Sequence, residues 1–342
     1  MNLLLAAVLC AGASSSEWGE RSRRIPSDPA PEEITRGLHY VRTDEARHDL
    51  FKDRIDGVGG LFVGVGTSQN YLMAAWAEAD HLIIVDFDEI VVHVHDAYRA
   101  LFLHADSPEH FLELWRPRVK SRREAFGYIN DTFRSRTRRL NARRAMLEFG
   151  KRVHKGLEDT IEQTEEQGQP CFLTDATQFE HLQRLFREDK VLAIRGDFTG
   201  QRTMRGIARM LKQRDQEISV LYLSNVEQYI GWSGKYRRNM KRLPMRDDSV
   251  VLRTYGWGEH RTADHNYRYY VQPGLAYLDW LRSRQSYVAK FLRTAPQSSI
   301  VGYHEIMRGP TGRDYSARLE SKQNAQARVE RQAAKQAQAD AR

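Results

Sequence analysis

Two glycines and one aspartate carry the first chemical hint in this chain. Gly64 and Gly66 sit in the run Gly-Leu-Phe-Val-Gly-Val-Gly-Thr-Ser-Gln-Asn, residues 60–70. Asp86 lies 22 residues after Gly64, at the end of the apolar run His-Leu-Ile-Ile-Val-Asp. A glycine turn lets the backbone approach a ligand, and a helix starting there presents free N–H groups. A carboxylate about 20 residues further on can accept from ribose hydroxyls. The spacing reads G-x-G-x-x-Q, with Gln69 where a dinucleotide fingerprint has its third glycine, and Asn70 follows. That departure argues against NAD and for a smaller nucleoside-type ligand. The competing reading is a βαβ unit whose turn is merely tight.

Further candidates stand at the ends of later apolar runs. Gly196 and Asp197 follow Lys-Val-Leu-Ala-Ile-Arg, and Ser224, Asn225, Glu227 and Tyr229 follow Ile-Ser-Val-Leu-Tyr-Leu. In an open parallel sheet, ligands bind outside the carboxyl ends of the strands. Asp197 suits an exocyclic amine of a base. Asn225, Glu227 and Tyr229 are the candidates for orienting a substrate, and Ser224 lies beside the ligand. The alternative for Asp197, Asn225 and Glu227 is helix capping and turn formation.

Other constellations lead nowhere definite. His93 and His95 are two apart, so on a helix they face different ways and a shared metal is disfavoured. His260, Asp264 and His265 have the chemistry for a metal or a proton transfer, and read more simply as an ordinary polar loop. There is no Gly-x-Ser-x-Gly elbow and no Gly-Lys-Ser/Thr phosphate loop. The two cysteines, Cys10 and Cys171, support neither a disulfide framework nor a cysteine metal site.

The elements that must position these residues follow from periodicity. Strands are expected near 60–65, 81–86, 190–195, 217–223 and 248–255, with a further one, antiparallel at the edge, near 267–272. A helix is expected over 71–79, then helices from Glu89 through the segment up to about 187, over 203–213, and from about 275 to 293. Val/Ile-rich strands alternating with helices indicate an α/β fold, doubly wound, with a mostly parallel sheet. About 100 residues separate the second strand from the third, which implies a long helical insertion, about 89–187. A single domain is expected over 35–310. Residues 14–34, with three prolines, read as an exposed linker, and 311–342 as a solvated polar tail.

The chain has 53 Lys and Arg against 45 Asp and Glu, a net charge of +8. Residues 116–155 hold 14 of the cations against three acids, so this stretch alone is +11. It can bind nucleic acid or anionic lipid, or be no more than a helix solvated by arginine. Residues 1–13 are apolar and end in Ala-Gly-Ala, which fits a short signal peptide but lacks a leading cation. The expectation is therefore open between export and the cytoplasm. No other apolar run reaches the length of a membrane span.

Taken in order, Val63-Gly-Val-Gly-Thr-Ser-Gln-Asn70, Ile84-Val-Asp86, Tyr98-Arg-Ala-Leu-Phe102, Gly196-Asp197, Leu221-Tyr-Leu-Ser-Asn-Val-Glu227 and Tyr269-Tyr-Val-Gln272 resemble an uncharacterised bacterial family with a class I methyltransferase-like, Rossmann-like fold. The resemblance covers roughly residues 38–282. It implies an S-adenosylmethionine pocket, with Gly64 and Gly66 beside the methionine part, Asp86 on the ribose and Asp197 near the adenine. It supplies no reaction, so the alternative expectation is a non-catalytic exported or envelope protein that retains the fold. Asp86-Phe-Asp-Glu89 also replaces the family's more basic continuation, which leaves the substrate side open.

Overall fold

The computed structural model describes residues 17–31, 38–256, 262–285, 288–293, 295–296 and 298–317. The expected leader, residues 1–13, and the tail beyond 317 lie outside the described residues, as does His260.

The first strand, β1 (Leu61–Val65), is apolar on both sides and fully buried. Successive residues point to opposite faces of a sheet. Leu61, Val63 and Val65 therefore enter one core layer and Phe62 the other. The second strand, β2 (His81–Asp86), splits in the same way: Leu82 and Ile84 go one way, Ile83 and Val85 the other. Burial on both faces is what a sheet sandwiched between helix layers requires.

The remaining strands are β3 (Val191–Arg195), β4 (Ile218–Tyr222), β5 (Met245–Gly256), β6 (Tyr267–Pro273) and β7 (Tyr303–Glu305). Their order in the sheet is β3-β2-β1-β4-β5-β6-β7. The first five are mutually parallel. The fold is thus α/β with a mostly parallel seven-stranded sheet, Rossmann-like in layer and order. As expected, β6 runs antiparallel to β5. It is not the edge, because the short β7 pairs outside it.

A helix over residues 17–23, α1, precedes the sheet, and α2 (Asp49–Ile55) leads into β1. Helix α3 (Gln69–Trp76) links β1 to β2, and is buried along its whole length. Between β2 and β3 come α4 (Glu89–His104), α5 (Pro108–Trp115), α6 (Val119–Thr132), α7 (Arg136–Glu166) and α8 (Ala176–Arg187). The long helical insertion is therefore real. Its starts are written in the sequence: Asp88, Ser107, Ser135 and Asp175 each cap a helix through their side chains. Helix α9 (Thr203–Gln213) joins β3 to β4. Short helices α10 (Val226–Ile230) and α11 (Gly234–Met240) join β4 to β5, and α12 (Gly274–Arg282) and α13 (Val288–Arg293) follow β6.

Two expectations about the ends are corrected. Residues 17–31 are not an exposed linker. Trp18 and Ile25 are buried in the core layer with α9, and Trp18 Nε1 donates to Gln216. An indole and a branched side chain here gain more from burial than the prolines' irregular backbone gains from water. Within the predicted tail, residues 311–317 are likewise attached: Tyr315 is buried, its N–H donates to Met307 O, and its hydroxyl to Asp279.

Candidate functional site

The carboxyl ends of β1, β2, β3 and β4 open into one cavity of about 420 Å³. That volume is within the range of small-molecule sites. Val65 and Gly66, Asp86, Gly196 and Asp197, and Ser224 and Asn225 all line it. The chain runs from β1 outward through β2 to β3, then crosses back to β4 on the other side of β1. The cavity spans that reversal, where doubly wound sheets place their ligands.

The glycine turn is held from below. Gly66 has φ +92°, a conformation that a side chain would strain. His95, on α4, is buried against it. Its Nε2 lies 2.8 Å from Gly66 O, and its Nδ1 lies 2.7 Å from the Tyr71 hydroxyl. A carbonyl oxygen only accepts, so Nε2 carries the proton and Nδ1 accepts from Tyr71. Burial pushes the imidazole down to about 4, so it is neutral at pH 7 and this tautomer is fixed. The pair His93 and His95 therefore diverges, as an i, i+2 spacing on a helix dictates, and only His95 serves the turn.

Gln69 lines the cavity and its Oε1 accepts from Thr67 N at 3.1 Å. Two predicted contacts do not reach the cavity. Gly64 is inside β1, where a Cβ would overlap the Asn70 side-chain oxygen. Asn70 is buried beneath the turn, its Nδ2 donating to Val65 O and Thr67 O at 2.9 Å each. Gly64 is thus a packing glycine that makes room for a turn-bracing asparagine.

Asp86 is 7% exposed and lines the cavity wall. It accepts from Asp88 N at 2.8 Å. Burial pushes its carboxyl up to about 7; the nearby Asp88 adds to this, while backbone amides of Asp88, Gly66 and Phe87 oppose it. Asp88 caps α4 by accepting from Ile90 N at 2.9 Å, and its other carboxylate oxygen lies 2.7 Å from His39 Nδ1.

Asp197 lines the cavity too. It accepts from Thr199 N at 2.7 Å and from the Thr199 hydroxyl at 2.9 Å, so the turn reading also holds. The loop after it is pinned by a residue that the sequence did not flag. Asp28, buried and on the N-terminal arm, accepts from the backbone amides of Asp197, Gln201, Arg202 and Thr203 at 2.9–3.3 Å. The arm continues into Pro29 and Pro31, which line the cavity.

Ser224 has φ +46°, a left-handed backbone uncommon for a residue with a side chain. A second unflagged acid fixes it. Glu45 is fully buried and accepts from Ser224 Oγ (2.5 Å), Tyr222 Oη (2.6 Å) and Thr254 Oγ1 (2.7 Å), with His48 Nε2 at 3.1 Å. Burial raises its carboxyl, but the hydrogen bonds and His48 outweigh this and hold it below the usual range. Asn225 donates to Tyr267 Oη at 3.3 Å, and that hydroxyl donates to Asp44 at 2.9 Å. Tyr229 is 63% exposed at the cavity mouth, with Tyr40 and Phe87 also exposed there.

Glu227 is the clear correction. It is 2% exposed and points away from the cavity, into the layer between α10 and α12. It pairs with buried Arg253 at 2.7 Å and accepts from Trp232 Nε1 and Tyr236 Oη at 2.7 and 2.8 Å. Its chemistry is spent on folding, so it is not available to a substrate. Among the described residues, no group of three or more His, Cys, Asp or Glu is placed to hold a metal ion.

A family model described as a domain of unknown function (DUF7790) matches residues 40–309, and the chain belongs to that family. Comparison with curated proteins finds no match.

Proposed function

We propose that the cavity binds S-adenosylmethionine or a closely related nucleoside, and that the protein is methyltransferase-like. One observation carries this reading: polar strand ends from both sides of the topological reversal converge on a cavity whose wall holds a buried carboxylate, Asp86, beside a left-handed glycine turn. The residues present fit the group. Asp86 is suited to the ribose hydroxyls, the Gly66 turn to the close approach of the amino-acid part, and Asp197 to an exocyclic amine. Asp44, Asp88 and Asp197, joined by Asp86 once it ionises, line the cavity against Arg42 and Arg195, which favours a ligand bearing positive charge.

The bound group would supply an activated methyl. The chain's own part is then to position an acceptor and exclude water, and methyl transfer needs no protein nucleophile. Asn225 and Tyr229, which line the cavity, are suited to orienting that acceptor, and Glu227 drops out of that role. Calorimetry with S-adenosylmethionine and S-adenosylhomocysteine tests the reading. Binding of either is the expected result; a folded sample that binds neither rejects it.

A further inference from the structure

The helical insertion carries a surface unrelated to the cavity. Helix α7 buries positions 142, 145, 146 and 153 against the rest of the chain. On the other side, Arg136, Leu140, Arg144, Leu147 and Lys151 recur at intervals of four, four, three and four. At 3.6 residues per turn they fall within about 80° of one another. All five are exposed, with Leu140 53% and Leu147 51% accessible. Phe149, about 180° round α7 from the middle of the stripe, packs against His39 beside cavity-lining Tyr40, so the stripe faces away from the cavity. Helix α6 folds back antiparallel on α7, with Arg143 over Phe126 at 4.4 Å. Its first residues, Val119 (72% exposed), Lys120 and Arg123, thereby stand at the end of the hairpin that holds Leu147 and Lys151.

Leucines set between cations on one solvent face lose hydration cost only if something apolar covers them. Arg144 pairs with Glu148 at 2.8 Å, so Arg136 and Lys151, with Lys120 and Arg123 on α6, are the cations that select a negatively charged cover. A nucleic acid is a poor match: single strands are held by stacking on accessible aromatic rings, and the phosphate backbone of a duplex offers nothing apolar to cover the leucines. The aromatic rings of this region are already covered: Arg138 lies over Phe133 at 4.3 Å, Arg143 over Phe126, and Arg152 over Phe149 at 6.0 Å. A helix face with leucines among lysine and arginine is suited to the headgroup boundary of an anionic bilayer, lying in its plane. We infer that this face of α6 and α7 docks the protein peripherally on an anionic lipid surface. Among the described residues no helix is long and apolar enough to cross a membrane, so the contact is interfacial.

The test is co-sedimentation of the full-length protein with phosphatidylcholine vesicles, with and without about one-third phosphatidylserine. Retention is expected to be at least tenfold greater on the anionic vesicles and to fall steeply with salt. The pair Arg136→Gln and Lys151→Gln is expected to lower it about tenfold, and the pair Leu140→Ser and Leu147→Ser several-fold. All four positions are exposed, so thermal melting should be unchanged in both pairs; if one pair fails to fold, the other decides. Equal retention on neutral and anionic vesicles overturns the inference. So does retention on anionic vesicles that neither folded pair alters. Loss of single-stranded RNA binding in the arginine–lysine pair, with no vesicle binding by the parent protein, makes the face a nucleic-acid surface and also overturns it. The readout is independent of any nucleoside ligand.

Discussion

Asp86, the last residue of β2, and Glu227, in the short helix α10 beyond β4, are two buried carboxylates at the same edge of the sheet, and they do opposite things. Glu227 has a guanidinium and three hydroxyl or indole donors around it. Asp86 has backbone amides, a second acid nearby and a cavity in front of it. Burying a charge is costly unless it is paired and hydrogen-bonded. Glu227 meets that condition within the protein; Asp86 meets it only in part. Burial alone thus does not mark a site. An incompletely satisfied carboxylate that opens on a cavity does.

Removing one partner of a buried ion pair leaves the other uncompensated. Glu227→Ala should therefore cost about 3–5 kcal/mol of stability in chemical denaturation, the largest effect expected here. A loss below about 1 kcal/mol would mean that Glu227 is not the structural member of the comparison.

The second contrast is in pH. The folded-state pKa of Asp86 is raised, from 3.8 to about 7, so the folded state holds a proton there that the unfolded chain has lost. Its contribution to stability is fully present below pH 3.8 and is lost as pH rises through 7, by about 4 kcal/mol at most. Relative to Asp86→Asn, which cannot ionise, the parent protein should lose stability as pH rises from 4 to 8. A flat difference across that window would mean that the Asp86 carboxyl is not raised in the folded state.

Ligand affinity sharpens the comparison further. Asp86→Ala should weaken nucleoside binding at least tenfold, about 1.5–3 kcal/mol for hydrogen bonds to a charged group. Binding by the parent protein should strengthen as pH rises through 7, where the carboxylate becomes the stronger acceptor. The smallest effect is at the exposed mouth. Tyr229→Ala should change stability by no more than about 0.5 kcal/mol in thermal melts, whatever it does to an acceptor.

Most of the sheet was legible because its signals are local. Val- and Ile-rich runs ended in Gly66, Asp86, Asp197 and Ser224, and each of these does line the cavity. What could not be read is the support beneath them. Glu45 meets Ser224 and Thr254 across about 180 and 209 residues of chain, and Asp28 meets the loop after β3 across about 170. Single acids in stretches of ordinary composition give no periodic signal of such partners. His95 was visible but only as half of an apparent pair, since its partners Gly66 and Tyr71 lie on another helix and turn. Gly64, Asn70 and Glu227 erred in the other direction. They belong to runs that do reach the site, yet their own side chains, or the room left by glycine, face inward.

On the proposed reading, Asp86 anchors a nucleoside in the cavity. The most direct measurement is isothermal calorimetry at pH 8 with S-adenosylmethionine and S-adenosylhomocysteine, on the parent protein and on Asp86→Ala. The prediction is saturable binding by the parent protein, weakened at least tenfold in the variant while its fold persists. No heat from either ligand with the folded parent protein, or equal affinity in both proteins, would contradict it.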